Sequence, residues 1–246
     1  MVGHDECSRS PTIRSAGHLI RTPSPIFTAP TPAAIRRWFR LFGPLRLLLC
    51  GLAALVVILI EQVVLSQQEP VFDEAVLAWL GERIPESLGR VLVVVYQVSG
   101  TRFTAMLVLA ALIFLTIKRS WNQLIWLAIG TSGILLIVDR WLKPQFDRAR
   151  PLGRLVEVIG RSFPSGHAAG AVVFYFLMCT ILAERYPQLR RPLVLGSALW
   201  VGLIWVSTLY CRVHWLTDII AGAAVGFIWL SICLTSLRFC ADRQSG

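Results

Sequence analysis

Long apolar runs recur along this chain, and each is followed by a short polar segment. A helix of about 20 apolar residues crosses the hydrocarbon of a bilayer. Runs near that length occupy residues 45–65, 91–117, 124–142, 163–182, 193–210 and 219–237. The pattern therefore predicts an all-α fold, a polytopic membrane helical bundle with about six transmembrane helices.

Three segments depart from this simple pattern. The second run is interrupted by Gly100-Thr101-Arg102, so it is either one long tilted helix with Arg102 turned inward or an interfacial helix followed by a short span. Residues 72–88 mix apolar and charged positions around Pro85, which is typical of an amphipathic helix on the membrane surface. Residues 1–40 are rich in Ser, Thr, Pro and Arg. They predict a disordered, basic cytoplasmic extension, with residues 41–246 forming a single transmembrane domain.

Composition indicates that the bilayer is the main partner. Apolar residues make up 55% of the chain and charged residues 15%, and the mean hydropathy is +0.64, more apolar than a soluble domain of this size requires. The formal net charge of +10 is divided between two membrane faces, so we expect no nucleic-acid partner. The six cysteines show no paired spacing, which argues against a disulfide framework or a zinc site.

The distribution of cations predicts the orientation. If the helices alternate, one side carries Arg36, Arg37, Arg40, Arg46, Lys118, Arg119, Arg185, Arg190, Arg191, Arg238 and Arg243. Cytoplasmic loops are enriched in Lys and Arg, so both termini should be cytoplasmic, in a bacterial inner (plasma) membrane. The outer side carries Arg140, Lys143, Arg148, Arg150, Arg154, Arg161 and Arg212. This second cluster opposes the usual bias, and either anion binding or contact with lipid headgroups accounts for it.

His214 and Asp218 form the first candidate site. They are four residues apart, so on a helix their side chains share a face. The carboxylate can then accept a hydrogen bond from one ring nitrogen and leave the other as a nucleophile. The alternative is that the pair only caps the start of the last span.

Two further motifs contain groups suited to phosphate. Ser165-Gly166-His167 follows Pro164 at the start of the fourth span, where a helix N-terminus offers unpaired N–H groups to an anion; the alternative is an ordinary helix start with Ser165 as the cap. Lys143 and Arg150 could neutralise different oxygens of one phosphate. The alternative for that pair is a basic loop next to the membrane.

These motifs together resemble the signature of the type-2 phosphatidic acid phosphatase superfamily, which includes membrane lipid phosphatases and vanadium haloperoxidases. The resemblance covers about residues 90–237. Its motifs are Lys143 and Arg150-Pro151, Pro164-Ser165-Gly166-His167, and Ser207 followed by His214 and Asp218.

The resemblance implies a helical core with a pocket at the outer membrane face. It also implies hydrolysis through a phosphohistidine intermediate, with no metal and no cofactor. Carried over by position, His214 would be the nucleophile, Asp218 its orienting partner, and His167 the acid for the leaving group. The phosphate would be held by Lys143, Arg150, Ser165 and Gly166.

One position departs from the family pattern. The third motif usually has arginine after serine, and here Thr208 follows Ser207. Arg212 is the candidate replacement as a phosphate ligand. Two hypotheses follow. The first is a phosphatase that acts on a lipid phosphate or diphosphate, such as polyprenyl diphosphate, phosphatidate or phosphatidylglycerol phosphate. The second is a non-catalytic lipid-phosphate binder or transporter-like relative. The presence of both histidines and Asp218 favours the enzyme, and the membrane spans argue against a soluble haloperoxidase.

Overall fold

The computed structural model describes residues 31–66 and 70–244, and all regular structure within them is helical. The α-helices are α1 (Pro32–Phe42), α2 (Pro44–Leu65), α3 (Val71–Arg83), α4 (Glu86–Val98), α5 (Thr101–Ile117), α6 (Trp121–Leu135), α7 (Gly166–Arg185), α8 (Arg190–Tyr210) and α9 (Leu216–Gln244). A π-helical turn, Leu136–Leu142, and a short 3-10 turn, Lys143–Gln145, extend α6. The predicted all-α fold is confirmed.

Five helical segments of the described chain are long and apolar enough to cross a membrane: Pro44–Leu65, Trp121–Gln145, Gly166–Arg185, Pro187–Tyr210 and Leu216–Asp242. Helices α4 and α5 pass the same test together, although they are bent by 53° at their junction. The total of five or six candidate spans agrees with the predicted number. The chain is therefore an integral membrane protein, and α2, which has no buried residue, presents apolar side chains outward.

The second predicted span is not one straight helix. The chain breaks at Ser99 and Gly100 between α4 and α5, and Arg102 is exposed rather than turned inward. The preceding amphipathic helix is also shorter than predicted, because α3 ends at Arg83 and Pro85 instead caps the start of α4. Proline has no N–H group to donate and is tolerated at a helix start.

Helix α1 changes the predicted domain boundary. Residues 32–40 were expected in the disordered extension, but they form a helix capped by the Thr31 hydroxyl, which accepts from the N–H of Ala34. Arg37 pairs with Asp242 at 3.3 Å, and the Trp38 indole donates to Ser236 at 3.1 Å. Helix α1 therefore packs against the far end of α9, and residues 1–30 lie outside the described residues.

Helices α7 and α9 approach each other at backbone distance. A Cβ added to Gly222 would lie 2.3 Å from the carbonyl oxygen of Ser165, and one added to Gly226 would lie 2.7 Å from that of Ala169. Two glycines one helical turn apart therefore allow the backbones to touch. The contact places the start of α7 beside the start of α9, where the Ser165 N–H donates to the Asp218 carbonyl at 3.0 Å.

Candidate active site

The predicted motifs converge on one cavity of about 680 Å³. Its polar end is formed by Asp139, Lys143, Arg150, His167 and His214. The remaining wall is largely apolar and comes from α5, α6 and α7, with Val108, Leu109, Leu112, Ile134, Leu135 and Phe174 among its residues. A cavity with convergent polar groups at one end and an apolar wall has the usual make-up of a ligand site.

His214 lies in the turn between α8 and α9 and is almost completely buried. Its Nδ1 is 3.3 Å from the Oδ2 of Asp218, and its Nε2 is 3.4 Å from an Nη atom of Arg150. Burial lowers the pKa of His214 below its ordinary value; the Asp218 carboxylate opposes this shift, while the Arg150 and Lys143 cations add to it. The lowered pKa favours the neutral imidazole, the form that can act as a nucleophile.

His167, the second residue of α7, lies opposite His214 across the cavity end. The centroids of the two rings are 6.3 Å apart, and His167 stacks on Tyr96 of α4 at 5.4 Å. Its Nε2 atom is buried and has no hydrogen-bond partner among the described residues. A buried polar atom of this kind needs an explanation, and a bound ligand provides one.

Arg150 is held by backbone carbonyl groups. Its Nε donates to Gly160 at 2.9 Å, one Nη donates to Arg161 at 3.0 Å, and the other donates to Val213 at 2.6 Å. These contacts fix the plane of the guanidinium next to His214. A cation with a fixed orientation can stabilise developing negative charge without reorganising.

Lys143 and the Pro-Ser-Gly turn meet at the start of α7. The Lys143 ammonium pairs with Asp139 at 2.7 Å and lies 3.6 Å from the position of a Cβ on Gly166. Ser165 is fully buried, and its hydroxyl accepts from the N–H of Ala168 at 3.3 Å. Ser165 thus acts as the helix cap. The N–H groups of Gly166 and His167 belong to the first turn of α7, which begins beside the lysine.

Asp218 belongs to a larger buried network that the sequence did not reveal. Its carboxylate accepts from an Nη atom of Arg148 at 2.7 Å and from the Trp215 N–H at 3.0 Å, and the Ser162 hydroxyl also donates to it. The other Nη of Arg148 donates to Asp73 of α3 at 2.8 Å. Arg148 was visible only as one member of the outer basic cluster.

The segment that forms this site is similar to a known protein family. The family model described as PAP2 superfamily matches residues 134–241, which contain every cation and both histidines of the cavity end. Over these residues the chain is similar to the PAP2 superfamily. Phosphatidylglycerophosphatase B of Bacillus subtilis (strain 168) is 28% identical over 116 residues, or 45% of this chain and 56% of that protein. The match thus spans about half of the length of that curated relative.

A solved structure resembles this chain over a longer segment. It is the crystal structure of the first transmembrane PAP2 type phosphatidylglycerolphosphate phosphatase from Bacillus subtilis, with a TM-score of 0.64 and 20% identity. The alignment covers 79% of this chain and 97% of that one. At this level of identity, the similarity shows that the two proteins share a fold.

Two residues at the third motif, Thr208 and Arg212, do not contribute to the cavity end. Thr208 is buried, and its hydroxyl donates to the Trp205 carbonyl at 2.8 Å. The Arg212 guanidinium lies near Gly81 and Gly153, 3.9 Å from the position of a Cβ on either glycine, and does not line the cavity. The structure therefore brings together all of the predicted site residues except Arg212, which carries a positive φ of 53° in the turn before His214.

Proposed function

We propose that this protein is an integral-membrane phosphatase that hydrolyses the phosphate or diphosphate monoester of a lipid through a phosphohistidine intermediate. The observation that carries the proposal is the pair of imidazoles at one cavity end, 6.3 Å apart, with Arg150 beside His214 and Lys143 beside the start of α7. A phosphoryl group between the rings would have a nucleophile on one side and an acid on the other.

The first step transfers the phosphoryl group to His214. Its Nε2 lone pair attacks phosphorus while Nδ1–H is held by Asp218. The bond between phosphorus and the lipid oxygen breaks, and the protonated form of His167 gives its proton to that oxygen. Arg150, Lys143 and the first-turn N–H groups neutralise the charge on the phosphoryl oxygens.

The second step regenerates the enzyme. His167, now neutral, accepts a proton from a water molecule, whose oxygen attacks phosphorus as the bond from phosphorus to Nε2 breaks. Inorganic phosphate leaves, and both histidines return to their starting protonation states. Asp218 stabilises the imidazolium that forms transiently on His214.

The apolar wall of the cavity supports a lipid as the substrate. Leu109 and Leu112 of α5 and Phe174 of α7 line the same cavity as the histidines, so an acyl or polyprenyl tail could lie against them while the headgroup occupies the polar end. Phosphatidylglycerol phosphate, phosphatidate and polyprenyl diphosphate all fit this description. The name of the Bacillus subtilis relative favours the first of the three.

Phosphate neutralisation in this scheme relies on side chains and backbone groups. Among residues 31–66 and 70–244, no three His, Cys, Asp or Glu side chains converge into a candidate metal site. Because Arg150, Lys143 and the first-turn N–H groups of α7 can supply the positive charge that a metal would otherwise provide, we propose that the reaction needs no metal and no cofactor, so that EDTA leaves turnover unchanged. Strict dependence on added Mg²⁺ would contradict this part of the scheme.

The test of the proposed function is phosphate release by the purified protein from detergent-dispersed lipid phosphates. The panel contains phosphatidylglycerol phosphate, phosphatidate and a polyprenyl diphosphate, and His214→Ala serves as the control for contaminating activity. We expect release from at least one lipid by the native protein only. Binding of these lipids without release from any of them would favour the non-catalytic hypothesis.

We also propose that the cavity end faces the outside of the bacterial inner membrane and that both termini are cytoplasmic. Arg154, in the loop beside the cavity end, and Arg185, at the opposite end of α7, are both exposed. A cysteine at Arg154 should react with an impermeant reagent in intact cells, and a cysteine at Arg185 only after permeabilisation. The reverse pattern would invert the topology.

A further inference from the structure

We propose that Asp73 of α3 is a positioning residue for the nucleophile, acting through Arg148 and Thr217 on Asp218. Asp73 lies outside the PAP2 segment, residues 134–241, and no motif points to it. The inference rests on the proposed function, because it gives α3 a part in orienting His214 for phosphoryl transfer.

Asp73 is completely buried, although it lies on a helix whose neighbouring positions are exposed. One carboxylate oxygen accepts from the N–H of Thr217 at 3.0 Å, and the other accepts from the Thr217 hydroxyl at 2.6 Å. Thr217 is in the first turn of α9, where N–H groups lack partners inside the helix. Asp73 therefore caps α9 from a different helix, next to the residue that orients His214.

Arg148 connects Asp73 to Asp218. Its side chain is 4% exposed, and both carboxylates are 0% exposed. One Nη atom lies 2.8 Å from Asp73, and the other lies 2.7 Å from Asp218 and 2.7 Å from the Thr217 hydroxyl. The rigid fork of the guanidinium transmits a displacement of either carboxylate to the other.

The packing of α3 against α9 does not explain why residue 73 is a charged aspartate. Leu77 and Leu80 of the same helix already pack against Trp215 and Ile219, which gives α3 an apolar contact with α9. Burying a carboxylate with its partner cation is often no more stabilising than packing apolar side chains of similar size. A buried charge at Asp73 is therefore better explained by what it does to Arg148 and Asp218.

The expected effect on His214 follows from the charges around it. His214 faces Asp218 of α9, Arg150 and Lys143 from the segment after α6, and His167 of α7. If Asp73 loses its charge, Arg148 keeps its contact with Asp218 but loses the ion pair with Asp73. Asp218 then holds the His214 ring less strongly, and the imidazolium form of His214 becomes less favourable.

The experiment compares Asp73→Asn with Glu74→Gln in the full-length protein. Glu74 is the next residue on α3 and is exposed, so its variant removes the same charge from the same helix without touching the network. We expect Asp73→Asn to lower kcat by about 10- to 100-fold, as removal of an orienting partner typically does, with KM changed less than about twofold since Asp73 does not line the cavity. Glu74→Gln should match the native protein.

A second readout is independent of turnover. The pKa of His214, followed by NMR of labelled imidazoles and assigned with His214→Ala, should be lower in Asp73→Asn than in the native protein and unchanged in Glu74→Gln. If Asp73→Asn matches Glu74→Gln in both kcat and His214 titration, the inference is wrong. A loss of thermal stability and kcat with an unchanged His214 titration would also overturn it, because the role would then be structural.

Thr217→Val tests the positioning role of Asp73 if Asp73→Asn does not fold. Valine keeps the shape of threonine but removes the hydroxyl that contacts both Asp73 and Arg148, so kcat should fall several-fold, and Thr217→Ser should restore it. Native kcat in a folded Thr217→Val would overturn the inference. If the native protein releases no phosphate from any lipid, the proposed function fails, whereas the His214 titration still tests the link to Asp73.

Discussion

The two ends of the helical bundle use arginine in opposite ways. At the cavity end, Arg148 is almost completely buried, and three backbone carbonyls hold Arg150. The other end also has a cavity, of about 630 Å³, and Arg119, Arg185 and Arg238 line it. These three side chains are exposed, and Arg185 lies over its neighbour Tyr186.

The difference shows that charge alone does not make an anion site for catalysis. An exposed arginine changes orientation freely and is screened by water, so it contributes little to a defined geometry. A buried arginine with several fixed partners is already oriented before a phosphate arrives. The topology proposed above places Arg119, Arg185 and Arg238 on the cytoplasmic side, where the charge bias of loops would account for them, whereas Arg148 and Arg150 at the cavity end require a chemical explanation.

The largest effect should come from removing the proposed nucleophile. His214→Ala deletes the proposed nucleophile, so phosphate release should fall by about 10⁴-fold or more, in line with the loss of a nucleophile in other enzymes. Circular dichroism and gel filtration should show a folded protein. Activity within tenfold of native would mean that another group attacks phosphorus.

Conservative substitutions at the two ends sharpen the comparison. Arg150→Lys keeps the charge but cannot reproduce the three carbonyl contacts, and kcat/KM should fall by about 10²- to 10³-fold, as for loss of one oriented donor. Arg238→Lys at the opposite end makes the same change at an exposed position and should leave kcat/KM unchanged. Equal losses for both variants would show that net charge, rather than orientation, matters.

The backbone contact beneath the cavity end gives the next largest effect. Gly222→Ala would place a methyl group 2.3 Å from the Ser165 carbonyl, where neither backbone can yield easily. We expect it to destabilise the protein by about 1 to 3 kcal/mol and to lower activity by displacing the start of α7. Gly196→Ala in α8, where no heavy atom lies within 4 Å, should be neutral or slightly stabilising. Thermal unfolding in detergent distinguishes the two variants.

Arg212 should give the smallest effect. Although it is next to the third motif, its guanidinium lies against Gly81 and Gly153 rather than in the cavity. Arg212→Ala should therefore change kcat/KM by less than about threefold, well below the loss for an oriented phosphate ligand. A loss of 10²-fold would show that Arg212 reaches the substrate in the bound state and would restore the role suggested by its sequence position.

Sequence patterns predicted the parts of this structure that depend on local periodicity. The apolar runs located the spans because hydrocarbon requires long apolar helices, and the four-residue spacing of His214 and Asp218 placed both on one side of the turn into α9. The break at Gly100 was visible, but its 53° bend depends on packing. Helix α1 was missed because its stabilising contacts, such as that between Arg37 and Asp242, join residues far apart in the chain.

The same reasoning explains which site residues were missed. Arg148 and Arg212 belong to one basic cluster in the sequence, and nothing local distinguishes them. Tertiary packing buries Arg148 between Asp73 and Asp218 and directs Arg212 toward α3. Asp73 carries no local signal at all, because its partners are 75 and 144 residues away.

The most direct test of the central claim is to look for phosphate on His214 itself. The native protein is mixed with a lipid phosphate that it hydrolyses, quenched in alkali, where phosphohistidine survives, and analysed by peptide mass spectrometry. We expect a phosphoryl group on His214 during turnover, and none in His214→Ala. Turnover with a phosphoryl group trapped on His167, or with none on either histidine under conditions that preserve a phosphohistidine standard, would contradict the account.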